Sequence, residues 1–478
     1  MRDTLLCPWL AWGNLKNNRR DYLPFLGAAA LIVCLFFTVC NLSLIPDFGR
    51  HISGGGNLQA LMVVGTLLLP VVCGPFLWYI NSFLMKRRRK EMGLYGVLGL
   101  EQRHVGAVLF FETLYSFLVS VGGGLLLGIL LLGLATQLLL GMAGVKTDFT
   151  PTIVPGAVCA TAALFGIIFL GCLGGNLVHL SLAAPNQLLR EDHSGERDPR
   201  FGVLGGVLGA LLLGGGYYIS IRAYFDPLLV GGGNIFLAFP AASLLVALGT
   251  YGVFIFGSIY LLKALKGNRD FYYQPRNFVT LSGMLHRMRK NGAGLANICL
   301  FGTMTLVTLC CTLTVALGQD QVAALLGTSN EGRGDFVLNL ERMDLSELTI
   351  LFGTLAFLGL FFGAAFLLCT VLVMYYKQLT EGHEDRDGFV IMRRVGMGAG
   401  MVRSTVRRQV TLVFLLPLAG ALLHLSFALP VLIRLFGVLC IESRTVLAAA
   451  GAGAGLYILL YLGVYLVTAR AYYRLVSQ

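Results

Sequence analysis

Ten apolar runs, each twenty residues or longer, divide this sequence: 24–43, 59–84, 107–140, 153–180, 202–221, 236–262, 295–317, 349–376, 410–436 and 446–468. About 20 apolar residues in a helix cross the hydrocarbon core of a bilayer. Within lipid, a helix satisfies its backbone N–H and C=O groups inside its own segment. The expected fold is therefore an all-α integral membrane protein with about ten transmembrane helices. Composition agrees: the chain is 56% hydrophobic but only 13% charged, where a soluble domain carries about 25% charged residues. The third run exceeds what a bilayer needs, so it is expected to tilt or to project beyond the membrane. No cleavable signal peptide is expected, because residues 2–22 are polar and basic and lack a short apolar core before a small-residue site.

The positive charges alternate with the spans. With the N-terminus inside, inner segments hold 29 of the 36 Lys and Arg, and outer loops and helix ends hold 7. The positive-inside rule then places both termini in the cytoplasm. The net charge of +12 mostly reflects this topology, and it lets the inner loops meet anionic lipid or an acidic partner. Nucleic acid is not an expected partner, because the bases are divided among loops. Nearly all of the 11 cysteines lie inside the spans and none forms a CxxC pair; they read as small buried hydrophobes.

One inner loop stands apart. Five consecutive bases, Lys86 to Lys90, are followed by a short helical stretch containing Gly93, Gly96 and Gly99. An offset of 297 residues sets KEMGLYGVLGLEQRHV (90–105) against DGFVIMRRVGMGAGMV (387–402), with Gly99 on Gly396 and Val105 on Val402. Internal symmetry of this kind is common in transporters. It divides the chain into a first four-helix half (1–182), a loop with a two-helix insert (183–294) and a second four-helix half (295–478). Each half is expected to carry one such short helix between its second and third spans.

Several stretches resemble one family. RRRKEMGLYGVLGLEQRHV (87–105) looks like the cytoplasmic signature of FtsX-like permeases, the membrane subunits of MacB-type ABC transporters. LAWGNLKNNRRDYLPF (10–25), APNQLLREDHSGERDPR (184–200), FYYQPRNFVTLSGMLHRMRKNGAGLANICL (271–300) and YYKQLTEGHEDRDGFVIMRRVGM (375–397) are similar to the bacitracin-exporter, or Bce-type, permeases. In that family a large extracellular domain separates spans seven and eight. Here that interval, 319–348, holds 30 residues, too few for an independent core. GTSNEGRGD (327–335) reads as a turn and FVLNL (336–340) as a lone strand or part of a solvated linker.

The resemblance implies a bacterial cytoplasmic membrane protein that couples ATP hydrolysis to removal or sensing of antimicrobial peptides. It implies cytoplasmic ABC ATPase subunits as partners, two copies per permease. A membrane histidine kinase and membrane lipid or a lipid-linked precursor are further implied partners. An FtsX-like scaffold that moves an envelope partner without transport is the alternative. The chain has no GxxxxGK[ST] loop, no HExxH and no Cys/His cluster. It is therefore expected not to be an enzyme itself, and no catalytic, cofactor or metal residue is assigned. The candidate site is the pair of loops that would meet the ATPase: Glu91, Gly93, Leu94, Tyr95, Val97, Leu98 and Gly99 in the first, and Phe389, Ile391, Met392, Val395 and Gly396 in the second. A solvated anchor with an interfacial helix is the plainer reading of the same residues. Two polar side chains inside spans are also notable. Glu112 is placed to pair with a base of the first loop, and His424 reads as a hydrogen-bonded buried histidine or a proton relay.

Overall fold

The structure, a computed structural model, describes residues 3–45, 55–145, 151–182, 202–225, 235–326, 345–394, 399–439 and 441–477. Among these residues there is no strand. The helices are α1 (Asp3–Asn17), α2 (Arg19–Leu44), α3 (Gly55–Arg87), α4 (Arg89–Val97), α5 (Gln102–Met142) and α6 (Pro155–Leu182), then α7 (Gly202–Phe225), α8 (Ile235–Gly252), α9 (Ser258–Gly267) and α10 (Arg269–Tyr272). They continue as α11 (Pro275–Leu326), α12 (Leu345–Arg394), α13 (Ala399–Val438) and α14 (Ser443–Ser477). A π-helical segment, Val253–Gly257, joins α8 to α9.

Among the described residues ten helices are long and apolar enough to cross a membrane, and their edges lie within five residues of the runs read from the sequence. Beyond the spans, several helices continue where the sequence suggested loops. α11 has 52 residues and α12 has 50, so each extends roughly 75 Å at 1.5 Å per residue, more than twice the hydrocarbon thickness. Neither contains a proline past its first residue. Propagation of a formed helix costs little until such a breaker arrives.

This corrects the expectation of two like docking helices. In the first loop α3 breaks at Arg88, and α4 is a separate helix of 9 residues. The position 297 residues on, Asp385, lies inside the unbroken α12. Phe389, Ile391 and Met392 therefore sit on the last turns of a long helix, while Val395 and Gly396 lie outside the described residues. Five like charges in a row weaken a helix locally, whereas the stretch before Arg394 mixes acids with bases. The exits keep the register even so: α4 ends at Val97 and α12 at Arg394, and α5 starts at Gln102 and α13 at Ala399. The turn and strand read in 327–340 lie outside the described residues.

Two compact units emerge, Met1–Gly195 with Asp344–Phe361, and Glu196–Met343 with Phe362–Gln478. In the first, α2 and α5 meet through small residues. A Cβ on Gly124 would fall 2.5 Å from the Ala30 carbonyl oxygen, and one on Gly128 would fall 2.6 Å from the Phe37 ring. In the second, α7 crosses α8 with backbones touching. A Cβ on Gly209 would lie 2.7 Å from the Gly252 Cα, and one on Gly249 would lie 2.5 Å from the Leu213 nitrogen. These glycine pairs thus serve contacts within the chain. Gly209→Ala is expected to destabilise the chain by about 1–3 kcal/mol through overpacking, read as a lower melting midpoint in detergent. Gly214→Ala, with nothing within 4 Å of its added methyl, should leave the midpoint unchanged or raised. Equal melting of the two variants would mean that α7 and α8 do not need this approach.

Candidate functional site

The first loop is built around Arg88, the middle base of the run of five. A base in such a run would ordinarily be solvated, yet Arg88 is only 5% exposed. It sits at the break between α3 and α4 with φ −92° and ψ 1°. From there its guanidinium turns inward and uses its fork of donors in three directions. Nη2 donates to Glu112 Oε1 at 2.9 Å, and Nη1 donates to Glu112 Oε2, which makes the pair bidentate. Nη1 also donates to the Tyr22 hydroxyl at 2.8 Å, and Nε donates to Glu91 Oε2 at 2.9 Å. The Tyr22 ring lies 5.8 Å from the guanidinium carbon.

The network then spreads to α1. Asn14 Nδ2 donates to Glu112 Oε1 at 2.8 Å, and the Tyr95 hydroxyl donates to Asn14 Oδ1 at 3.1 Å. Asn18 Nδ2 donates to Glu91 Oε1 at 3.3 Å. Four helices, α1, α2, α4 and α5, are thereby tied to one buried cation. Burial pulls the Arg88 pKa down, but Tyr22, Glu112 and Glu91 around it hold it above its ordinary value. The charge is therefore fixed, and the ion pair cannot relax by losing a proton from the guanidinium.

The turn after α4 is closed by its backbone. Gly99 has φ +91°, a conformation glycine adopts without strain. The Leu100 N–H reaches the Tyr95 carbonyl at 3.0 Å and the Gly99 N–H reaches that of Gly96 at 3.2 Å. These two bonds form a Schellman cap. The apolar contact that accompanies such a cap is present, since Tyr95 and Leu100 both pack on the cluster of Met92, Val105, Leu109, Leu173 and Leu180.

The candidate residues of the first loop thus divide by face. Glu91 and Tyr95 turn inward as bonding partners, and Gly93 is buried. Leu94, Val97 and Leu98 point away, 51%, 62% and 71% exposed. Their i, i+3, i+4 spacing makes one continuous apolar stripe on the free face, with Gly99 exposed beside it. Glu112 pairs with a base of this loop, as its position suggested. Asn14, Asn18 and Tyr22 were not singled out from the sequence. Their spacing of four residues each was a usable signal, since it places three polar groups along one helical face.

The fold is that of a polytopic helical membrane protein, and residues 63–178, from within α3 through α4 and α5 into α6, match the family described as FtsX-like permease C-terminal. The chain is similar to bacitracin export permease protein BceB of Halalkalibacterium halodurans, 26% identical over 283 residues, which is 58% of this chain and 43% of the relative. BceB of Bacillus subtilis is 26% identical over 287 residues, 58% of this chain and 43% of its own length. An uncharacterized ABC transporter permease of B. subtilis, YvcS, is 26% identical over 281 residues, 59% of this chain and 42% of the relative. The chain therefore spans less than half the length of the curated relatives it matches.

Proposed function

We propose that this chain is the membrane subunit of a bacterial ABC transporter of the Bce type, and that α4 is where a cytoplasmic ATPase subunit engages it. One observation carries the reading. An apolar stripe, Leu94, Val97 and Leu98, is presented outward on a short helix held from behind by the Arg88 network. A solvated anchor would need only the charges. A lever must pass force to the spans, and Arg88, Glu112 and Asn14 link α4 directly to α5 and α1. On this reading both termini and α4 face the cytoplasm, and hydrolysis belongs to the ATPase subunit. The name of the BceB relatives points to bacitracin-like peptides as substrates, with membrane lipid or a lipid-linked precursor close by and a membrane histidine kinase as a further partner.

The test is reconstitution. The full chain is placed in nanodiscs with a Bce-type ABC ATPase from the same genome, and hydrolysis is followed with and without bacitracin. A stable complex whose ATPase rate differs several-fold from that of the free ATPase is the expected result. Failure to form a complex with that ATPase, or nucleotide hydrolysis by the purified chain alone, would sink the reading. A complex that hydrolyses ATP yet protects no peptide-treated cells would support the scaffold instead.

A further inference from the structure

A cavity of about 290 Å3 lies in the second unit among α7, α8, α11, α12 and α13. Ligand pockets begin near this size, at roughly 300 Å3. The walls are mostly carbon; no carboxylate, Lys or Arg is among the lining residues, and His424 supplies one imidazole. Five lining residues carry hydroxyls, Tyr217, Ser220, Ser243, Thr303 and Thr308, and Ser243 is among those with a partner in the chain.

The protons of Tyr217, Ser220, Thr303 and Thr308 are committed to the chain. Thr303 donates to the Cys299 carbonyl at 2.8 Å, Thr308 to that of Met304 at 2.6 Å, and Ser220 to that of Phe427. Tyr217 requires a longer argument. Its hydroxyl lies 2.5 Å from His424 Nδ1, and His424 Nε2 lies 3.0 Å from Thr250 Oγ1. Thr250 gives its only proton to the Val246 carbonyl at 2.6 Å. Thr250 must therefore accept from His424, so Nε2 carries the hydrogen and Nδ1 is bare. Tyr217 then donates to Nδ1. This chain of bonds also makes His424 the satisfied buried histidine of the two readings open from the sequence.

Each of these four hydroxyls keeps lone pairs and has no proton to offer. At these four positions the cavity thus offers acceptors only, with no charged carboxylate, Lys or Arg beside them and a largely apolar wall around them. An anion would meet lone pairs, and a cation would find no countercharge. The Tyr217 ring is stacked on Phe427 at 3.9 Å and 9°, so the phenol oxygen is held rigidly from both ends.

We propose that this cavity binds a neutral, largely apolar molecule bearing a single hydrogen-bond donor, a medium-chain alcohol being the simplest of the class, with that donor placed on the Tyr217 oxygen. The proposal stands apart from ATPase docking and survives its failure.

The test uses the full chain in nanodiscs, photolabelled with a diazirine-bearing octanol and mapped by mass spectrometry. Adducts should concentrate on the peptides containing Tyr217 and Phe427. Excess octan-1-ol should lower them at least tenfold, while octyl methyl ether and octanoate leave them in place. Ala428→Phe, which fills the cavity from α13, should remove the same adducts and spare those on the exposed Leu204 and Leu208. Ala247→Phe fills it from α8 and replaces the first variant should that one fold poorly. Equal competition by alcohol and ether would overturn the donor requirement. Labelling spread evenly along Leu204, Leu208 and Leu211, or unchanged in a folded filling variant, would overturn the site.

Discussion

Replacing Arg88 by methionine is expected to destabilise the chain by about 3–5 kcal/mol, the cost of breaking a buried ion pair from one side. Glu112 is 4% exposed, and without Arg88 it keeps, among the described residues, the donor Asn14 on one oxygen. Glu91 contributes much less, since its side chain is 42% exposed and water can replace the lost bond. Arg88→Lys should lie between the two, because a point charge cannot make the bidentate pair and reach Tyr22 together. The informative variant is the double one, Arg88→Met with Glu112→Met. With neither charge left to desolvate, most of the lost stability should return, since buried pairs exchanged for apolar groups are often neutral. Melting midpoints in one detergent give the four corners of the cycle. Amide exchange over residues 92–98 should rise in the single variant, as α4 comes free of α1 and α5. A single variant that melts like the parent would show that the network does not hold α4.

What the sequence revealed follows from which forces leave a linear trace. Length and apolarity are local, so the ten spans could be read directly. The helical extensions of α11 and α12 were hidden, because polar residues propagate a helix as readily as they make a loop, and only the absence of proline hinted at it. Arg88 was hidden for a different reason. Nothing in the run Lys86–Lys90 marks one base from the next, and its burial depends on partners 66 and 24 residues away, Tyr22 and Glu112. Glu112 was the visible half, as a lone acid in an apolar helix needs a countercharge. The inward face of α4 likewise depends on α1, so a reading of the loop alone treated Glu91 and Tyr95 like Leu94. The tautomer of His424 required Thr250 and Val246, one on the facing helix and the other a backbone oxygen, neither of which a sequence pattern can place.

Leu94→Asp is expected to separate binding from folding. Leu94 is 51% exposed, so in the isolated chain an aspartate there meets water and changes stability by no more than about 0.5 kcal/mol. Against an ATPase groove the same carboxylate would be buried without a partner. A penalty of about 3–5 kcal/mol corresponds to at least a hundredfold loss of affinity, at about 1.4 kcal/mol per tenfold. Tyr95→Phe is the reverse case. It removes the bond to Asn14 on the inward face, costs about 1 kcal/mol of stability and should leave affinity close to that of the parent. The pair distinguishes the outward stripe as an interface from α4 as a mere structural plug. Ile391→Asp extends the test to the end of α12. If one permease engages two ATPases, one through each loop, each single aspartate variant should retain one bound ATPase and the double variant none, counted by native mass spectrometry. The two engagements should differ in strength, because α4 is a short braced helix while Ile391 rides on the last turn of a 50-residue one. Leu94→Asp with undiminished ATPase affinity, or a parent complex of one ATPase per chain, would rule the scheme out.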